Sequence, residues 1–204
     1  NEGDRKRLQE WFEAQPFKEE TGEREKLLEV KNLSFGYTKE HQTLHNVSLS
    51  IDKGEMVSIV GRNGAGKSTF SKLVCGFEDP DMLQPCFIHL FHGKNLLKEN
   101  IRHRAKYIGY VMQNPNQMIS KTMIYEEVAL SLQKAGMPEE KVRQKVEDTL
   151  KICGLYPFRN WPVSALSFGQ KKRVSIASIL VMNPEIMILD EPTAGQDYHH
   201  YTEI

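Results

Sequence analysis

The sequence predicts an α/β fold whose core carries an inserted helical subdomain, and three observations predict it. A short apolar run, Met56–Val60, leads straight into a glycine-rich loop and then a helical segment. A second apolar run, Ile186–Leu189, ends in the adjacent acids Asp190 and Glu191. Between the two, amphipathic helical patterns dominate. Buried strands alternating with helices build α/β cores, and a helical block between two such strands is an insertion.

The elements follow in order. Residues 1–26 carry six basic and eight acidic side chains, broken by Pro16 and Gly22, and read as a solvated linker or tail. Leu8, Trp11 and Phe12 sit there at helical spacing, enough to dock a short helix on a neighbour. Leu27–Tyr37 and Thr43–Ile51 read as strands, the second with apolar and polar residues alternating from Val47 to Ile51. Residues 52–55 are a turn, and Met56–Val60 is expected to be a buried strand. A helix over Lys67–Cys75 ends at Gly76. Phe87–Phe91 is a strand candidate with a turn at Gly93, and Lys106–Met112 is a strand rich in Tyr, Ile and Val. Thr122 is placed to cap a helix over Met123–Ala135, with Glu126 and Glu127 in its early turns. Pro138 takes a favoured first helical position before Glu139–Cys153, whose Val142, Val146, Leu150 and Cys153 share one face. A last helix runs from about Gly169 to Met182, stopped by Asn183-Pro184 before the strand Ile186–Leu189.

Composition removes several classes of function. The 204 residues hold 27 Lys+Arg and 27 Asp+Glu, so no net charge pulls the chain toward nucleic acid or anionic lipid. No apolar run approaches the roughly 18–20 residues of a membrane-spanning helix, and the charged residues 2–13 hold no apolar core of a secretion signal. Cys75, Cys86 and Cys153 are widely spaced and read as reduced thiols rather than a disulfide frame. His199 and His200 read as a solvated pair, and Met112, Met118, Met123 and Met137 as packing or interface residues.

Three stretches carry chemistry. Gly61-Arg62-Asn63-Gly64-Ala65-Gly66-Lys67-Ser68 fits G-x-x-x-x-G-K-[ST]. Glycines let the backbone wrap so that its N–H groups face phosphate oxygens, and the following helix adds its positive end. Lys67 supplies a cation to the phosphates, and Ser68 a hydroxyl to Mg²⁺. Asp190 and Glu191 close a buried strand at the sheet edge where nucleotides bind. Asp190 suits the Mg²⁺ shell, and Glu191 suits polarisation of an attacking water. Leu166-Ser167-Phe168-Gly169-Gln170 opens the last helix, with Ser167 as N-cap and the helix end as a second place for an anion.

Together these stretches resemble the nucleotide-binding domain of the ATP-binding cassette (ABC) family over about residues 27–199. Gly61–Thr69 is similar to its Walker A loop, Gln113 to its Q-loop glutamine, Leu166–Gln170 to its signature, and Ile186–Glu191 to its Walker B strand. Ala194–Asp197 resembles the D-loop, and Tyr37 takes the place of the aromatic that stacks on adenine. The resemblance implies a P-loop NTPase core with an antiparallel β subdomain and a helical subdomain over about 118–183, within a cassette spanning 27–204. It implies Mg²⁺ and ATP as ligands. Nucleotide contacts fall to Tyr37, Gly61, Asn63, Gly64, Gly66, Lys67, Ser68, Thr69, Gln113 and Asp190, with Ser167, Gly169 and Gln170 meeting the ATP of an opposing cassette. Mg²⁺ falls to Ser68, Gln113 and Asp190, and catalysis to Glu191, Gln113 and Lys67. The implied partners are a second cassette (identical, paralogous or fused in the same chain) and integral membrane subunits, with no nucleic acid, at the cytoplasmic face of a membrane.

Gln113–Gln117 and the LSFGQ form of the signature are similar to energy-coupling-factor importers of vitamins, vitamin precursors or metal ions, and to the second cassette of a fused tandem ATPase of the hydroxymethylpyrimidine/thiamine type. A soluble tandem ABC ATPase acting on ribosomes is the alternative. Three departures stand out. Phe168 replaces a signature glycine, residues 79–86 lack the usual Pro-x-x-Gly turn, and the family's switch histidine has no counterpart before Ile204. The last implies a cassette lacking the C-terminal part of its core and a poorly active isolated chain.

Overall fold

The computed structural model describes residues 25–38, 41–81, 85–90 and 93–191. Strand β1 (Lys26–Thr38) begins one residue inside the expected charged tail, because Lys26 already pairs with Asp52 of β2 (His41–Asp52). Along β1 the buried positions are first even, Leu28 and Val30, and then odd, Leu33 and Phe35. A bulge causes the change of phase. From Val30↔Leu49 to Leu33↔Val47, β1 advances by one residue more than β2, and Asn32 there takes a positive φ of 53°. One extra residue in one strand turns the following side chains to the other face. Strands β3 (Phe87–Leu90) and β4 (Lys94–Asn95) complete a four-stranded antiparallel sheet in the order β2-β1-β3-β4.

Helix α1 (Lys67–Cys75) lays Phe70, Leu73 and Val74 against this sheet, and Ile108 and Ile186 join the same core. Those two belong to β5 (Ile108–Val111) and β6 (Ile186–Leu189), a parallel pair in which Val111 lies opposite Leu189. Between α1 and β5 a short helix, α2 (Ile101–Arg104), buries Arg104. Its guanidinium donates to the carbonyls of Leu73 (2.8 Å), Val74 (3.2 Å) and Glu99 (3.0 Å), answering the open carbonyls at the end of α1.

A second core is helical. Helices α3 (Ile124–Lys134), α4 (Glu139–Ile152) and α5 (Phe168–Leu180) bury Val128 and Leu132, Val142, Val146 and Leu150, and Val174 and Ala177 against one another. Each set follows the expected helical spacing, with Cys153 partly buried beside the α4 face. Two cap assignments need correction. Met123, not Thr122, is the N-cap of α3, and no side chain caps it; the Thr122 carbonyl instead accepts from the Val163 N–H (2.8 Å). Pro138 stands at the N-cap of α4 with extended ψ, one residue before the helix. The three cysteines are free, and no helix among the described residues is long and apolar enough to cross a membrane.

The largest departure is Met56–Val60. It forms no strand and is exposed, Met56 to 95% and Val60 to 91%. A buried parallel strand needs a hydrogen-bonded neighbour on its flank, and among the described residues none pairs with this segment. The docking helix over Leu8–Phe12, the D-loop and the His199–His200 pair fall outside the described residues.

Candidate functional site

The glycine-rich loop is shaped by two features of its own sequence. Gly66 is the N-cap of α1 at φ 88°, a conformation costly for any residue with a side chain, and a Cβ there would meet Leu44 Cδ2 at 2.7 Å. No side chain caps α1, so its first N–H groups point into the loop without an internal partner. Gly61 to Ala65, Asn63 and Gly64 included, lie open to solvent. Lys67 folds back over the loop, its Nζ donating to the carbonyls of Gly61 (2.9 Å) and Arg62 (3.1 Å). A cation, a helix start without a side-chain cap and the positive end of that helix thus converge on one exposed stretch of backbone, an arrangement suited to phosphate.

The strand ends close the other side. Ser68 Oγ donates to Asp190 Oδ1 (3.0 Å) across a separation of 122 residues. The Tyr110 hydroxyl donates to the other oxygen, Oδ2 (2.8 Å). Burial, reinforced by this hydrogen bond to a carboxylate, pushes the Tyr110 hydroxyl well above the usual tyrosine range, so it remains a donor. The pairing Val111↔Leu189 brings the next residues together, and the Asp190 N–H donates to the Val111 carbonyl (2.9 Å). Beyond this point Gln113 Nε2 donates to Glu191 Oε2 (2.6 Å). Glu191 takes a φ of +45°, a left-handed conformation worth about 1–3 kcal/mol of strain for such a residue. Strain of this kind, at an exposed acid held by a glutamine, marks a side chain whose direction matters.

Tyr37 stands beside the loop. Its ring packs edge-on against Phe35 (4.8 Å between centroids), its hydroxyl lies 3.5 Å from Thr69 Oγ1, and 57% of it is exposed. An aromatic face is therefore open to a planar base. The structure thus brings Tyr37, Lys67, Ser68, Thr69, Gln113, Asp190 and Glu191 to one edge. It does not bring Ser167, Gly169 and Gln170 there; among the described residues no hydrogen bond joins them to the loop. They form a separate, self-contained start to α5. Gln170 N–H donates to Ser167 Oγ (3.3 Å), and Ser167 N–H donates to Gln170 Oε1 (2.9 Å), a complete capping box. Phe168 follows, 39% exposed.

Two functional-looking residues escaped sequence reasoning. Tyr110 read as a β-forming residue of its strand. Its signal is its register, since it pairs with Ile188 and so stands two positions from Asp190 on the neighbouring strand. Lys172 lies in the basic run Lys171-Lys172-Arg173, which by itself points to no role. Its i, i+3 spacing to Ser175, also fully buried, places it on the inner side of α5.

Comparison with known proteins agrees with this geometry. The model of the ABC transporter family matches residues 44–194. Among curated proteins, one from Clostridium perfringens (strain 13 / Type A), named as an ABC transporter ATP-binding protein, is 55% identical over 98% of this chain and 35% of its own length. Another so named, from Enterococcus faecalis (strain ATCC 700802 / V583), is 56% identical over 87% of this chain and 31% of its own. The chain spans about a third of the length of these relatives. Among solved structures, cbiO1 of Clostridium perfringens, described as part of the ABC transporter complex cbiONQ, superposes with a TM-score of 0.79 at 34% identity, covering 88% of this chain and 70% of that one. The ADP conformation of MJ1267, an ATP-binding cassette of an ABC transporter, gives 0.75 at 25% identity, covering 87% and 73%. The fold, the loop and the paired strand ends therefore have one common source: the chain belongs to the ABC transporter family and is an ATPase cassette of it.

Proposed function

We propose that this cassette powers import of a small solute (a vitamin, a vitamin precursor or a metal ion) from the cytoplasmic face of a membrane, paired with a second cassette and with integral membrane subunits. The observation that carries the chemistry is the convergence of the open phosphate loop with Asp190 and Glu191 after β6 and Gln113 after β5. The transport reading draws on the similarity to cbiO1, which belongs to a membrane transporter complex, and on the names of the curated relatives, which speak for transport rather than ribosome work.

Each side chain has a task in this reading. Lys67 exchanges its two carbonyl partners for the β/γ-phosphates. The loop N–H groups at Gly61, Asn63, Gly64 and Gly66 cradle the phosphates, Thr69 supports the start of α1, and Tyr37 stacks on the base. Ser68, Asp190 and the amide oxygen of Gln113 are hard oxygen donors of the kind Mg²⁺ prefers, so the residues present fit that ion. When bound, Mg²⁺ supplies charge neutralisation at the phosphates. Glu191, aimed by its backbone and held by Gln113, orients the attacking water and takes its proton. Ser167, Gly169 and Gln170 face the nucleotide of the opposing cassette. No covalent intermediate is required, because positioning and electrostatics suffice for phosphoryl transfer.

The test is purification of the full-length protein with its interacting proteins, followed by reconstitution in vesicles. Integral membrane subunits should co-purify, and ATP should drive uptake of labelled thiamine, hydroxymethylpyrimidine or Co²⁺. Recovery with ribosomes and without integral membrane proteins would defeat the import reading.

A further inference from the structure

We infer that Lys172 is a positioning residue, whose buried ammonium fixes the backbone at Gln113 and Asp190 and so aims the side chains that meet ATP; this rests on the ATPase reading above. Lys172 is 0% exposed, the bulkiest of the fully buried side chains. Its Nζ donates to the carbonyls of Met112 (2.8 Å) and Gln113 (2.8 Å) and, at longer range, of Asp190 (3.4 Å). An ammonium has three N–H donors, and three carbonyls surround it. Among the described residues no carboxylate bonds to it directly. Burial lowers its pKa, and the charges of Asp190 and Glu191 nearby oppose that shift.

Placement of this group is costly on its own terms. Taking an ammonium out of water costs several kcal/mol even after relaxation. It also lies one turn from the N-terminus of α5, the positive end of the helix dipole, where a cation gains nothing. The three carbonyls, with the nearby charges of Asp190 and Glu191, offset these costs, and two of the carbonyls belong to residues of the site. Gln113 is the second residue of the loop that follows β5 and carries a 3₁₀ turn at Pro115–Gln117 before α3. Its side chain holds Glu191, and its carbonyl is held by Lys172. Helix α5 packs closely on β5: a Cβ at Gly109 would overlap Ile179 Cγ2, so the Ile179 side chain sits directly on the backbone of the strand. Lys172 therefore joins the helix that starts with the signature residues to both strand ends of the nucleotide edge.

The experiment compares Lys172→Met, which keeps length and removes the donors, with Lys172→Gln, which keeps two donors, in the full-length protein. We expect kcat for ATP hydrolysis to fall about tenfold or more in K172M and by less in K172Q, in the order of donors retained, while KM for ATP stays within about threefold; tenfold corresponds to ~1.4 kcal/mol. A kcat in K172M within twofold of the parent overturns the proposal, as does a KM rising in step with the loss, or K172Q no better than K172M. If K172M does not fold, K172Q decides: a threefold or larger fall in kcat at unchanged KM supports the role, and a smaller one overturns it. An unmodified protein that hydrolyses no ATP would sink the ATPase reading itself, and Lys172 with it.

Discussion

Two helices of this molecule begin beside residues assigned to phosphate, and they begin in opposite ways. Helix α1 starts from Gly66 in a left-handed conformation with no side-chain cap, so its terminal N–H groups lack an internal partner. Helix α5 starts from Ser167, whose hydroxyl oxygen accepts from Gln170 N–H while the Gln170 side chain answers in return. The first end suits an anion, because among the described residues no side chain caps it. In the second, the capping box occupies the Gln170 and Ser167 N–H groups and leaves those of Phe168 and Gly169, with the Ser167 hydroxyl hydrogen, to offer outward. A helix start with a sequence motif is thus not by itself an anion site; whether its N–H groups are free decides. The first end can recognise nucleotide within one cassette. The second suits a role that arises only when another cassette brings phosphate to it.

Three substitutions break or sharpen this contrast. The largest effect belongs to neither helix. Glu191→Gln should lower hydrolysis roughly a hundredfold to ten-thousandfold, the usual worth of a positioned general base, with ATP binding retained; turnover of the full-length variant near the parent rate would contradict the base assignment. Next, Lys67→Ala should weaken ATP binding about a hundredfold, or ~2.7 kcal/mol, with the thermal midpoint of the apoprotein unchanged. Calorimetry showing parental affinity would refute α1 as the primary site. Smallest, Ser167→Ala should cost ~1 kcal/mol of stability through the lost cap and leave ATP affinity at α1 intact. A loss of single-cassette nucleotide binding in that variant would erase the distinction between the two helix starts.

How much of this was legible in the sequence depends on how local its cause is. The phosphate loop was legible because G-x-x-x-x-G-K-S sets backbone geometry over eight residues, and Gly66 at φ 88° carries out what the pattern asks. Ser167 and Gln170 were legible because a capping box is a four-residue device. The α4 face of Val142, Val146 and Leu150 followed from period alone. The bulge at Asn32 was not legible, because alternation shows a strand but not the place where one strand takes an extra residue. Nor were the bonds of Tyr110 to Asp190 and of Lys172 to Met112, which join residues 80 and 60 apart and depend on register and packing. Lysine in particular reads as solvated in any pattern, and only a set of carbonyls gathered from elsewhere turns it inward. Met56–Val60 failed for a related reason. Its apolar content was read correctly, but burial of a strand is a property of its neighbours.

That segment leaves one consequence. Met56-Val57-Ser58-Ile59-Val60 is uncharged, free of proline and glycine, and rich in β-branched residues. It runs exposed, with no backbone hydrogen bond of its own among the described residues. Such a ribbon has the composition of a strand and open backbone groups for a strand alongside it to pair with. A strand laid along these few residues, which carry the chain into its phosphate loop, would bury their apolar side chains and stiffen the loop in one step.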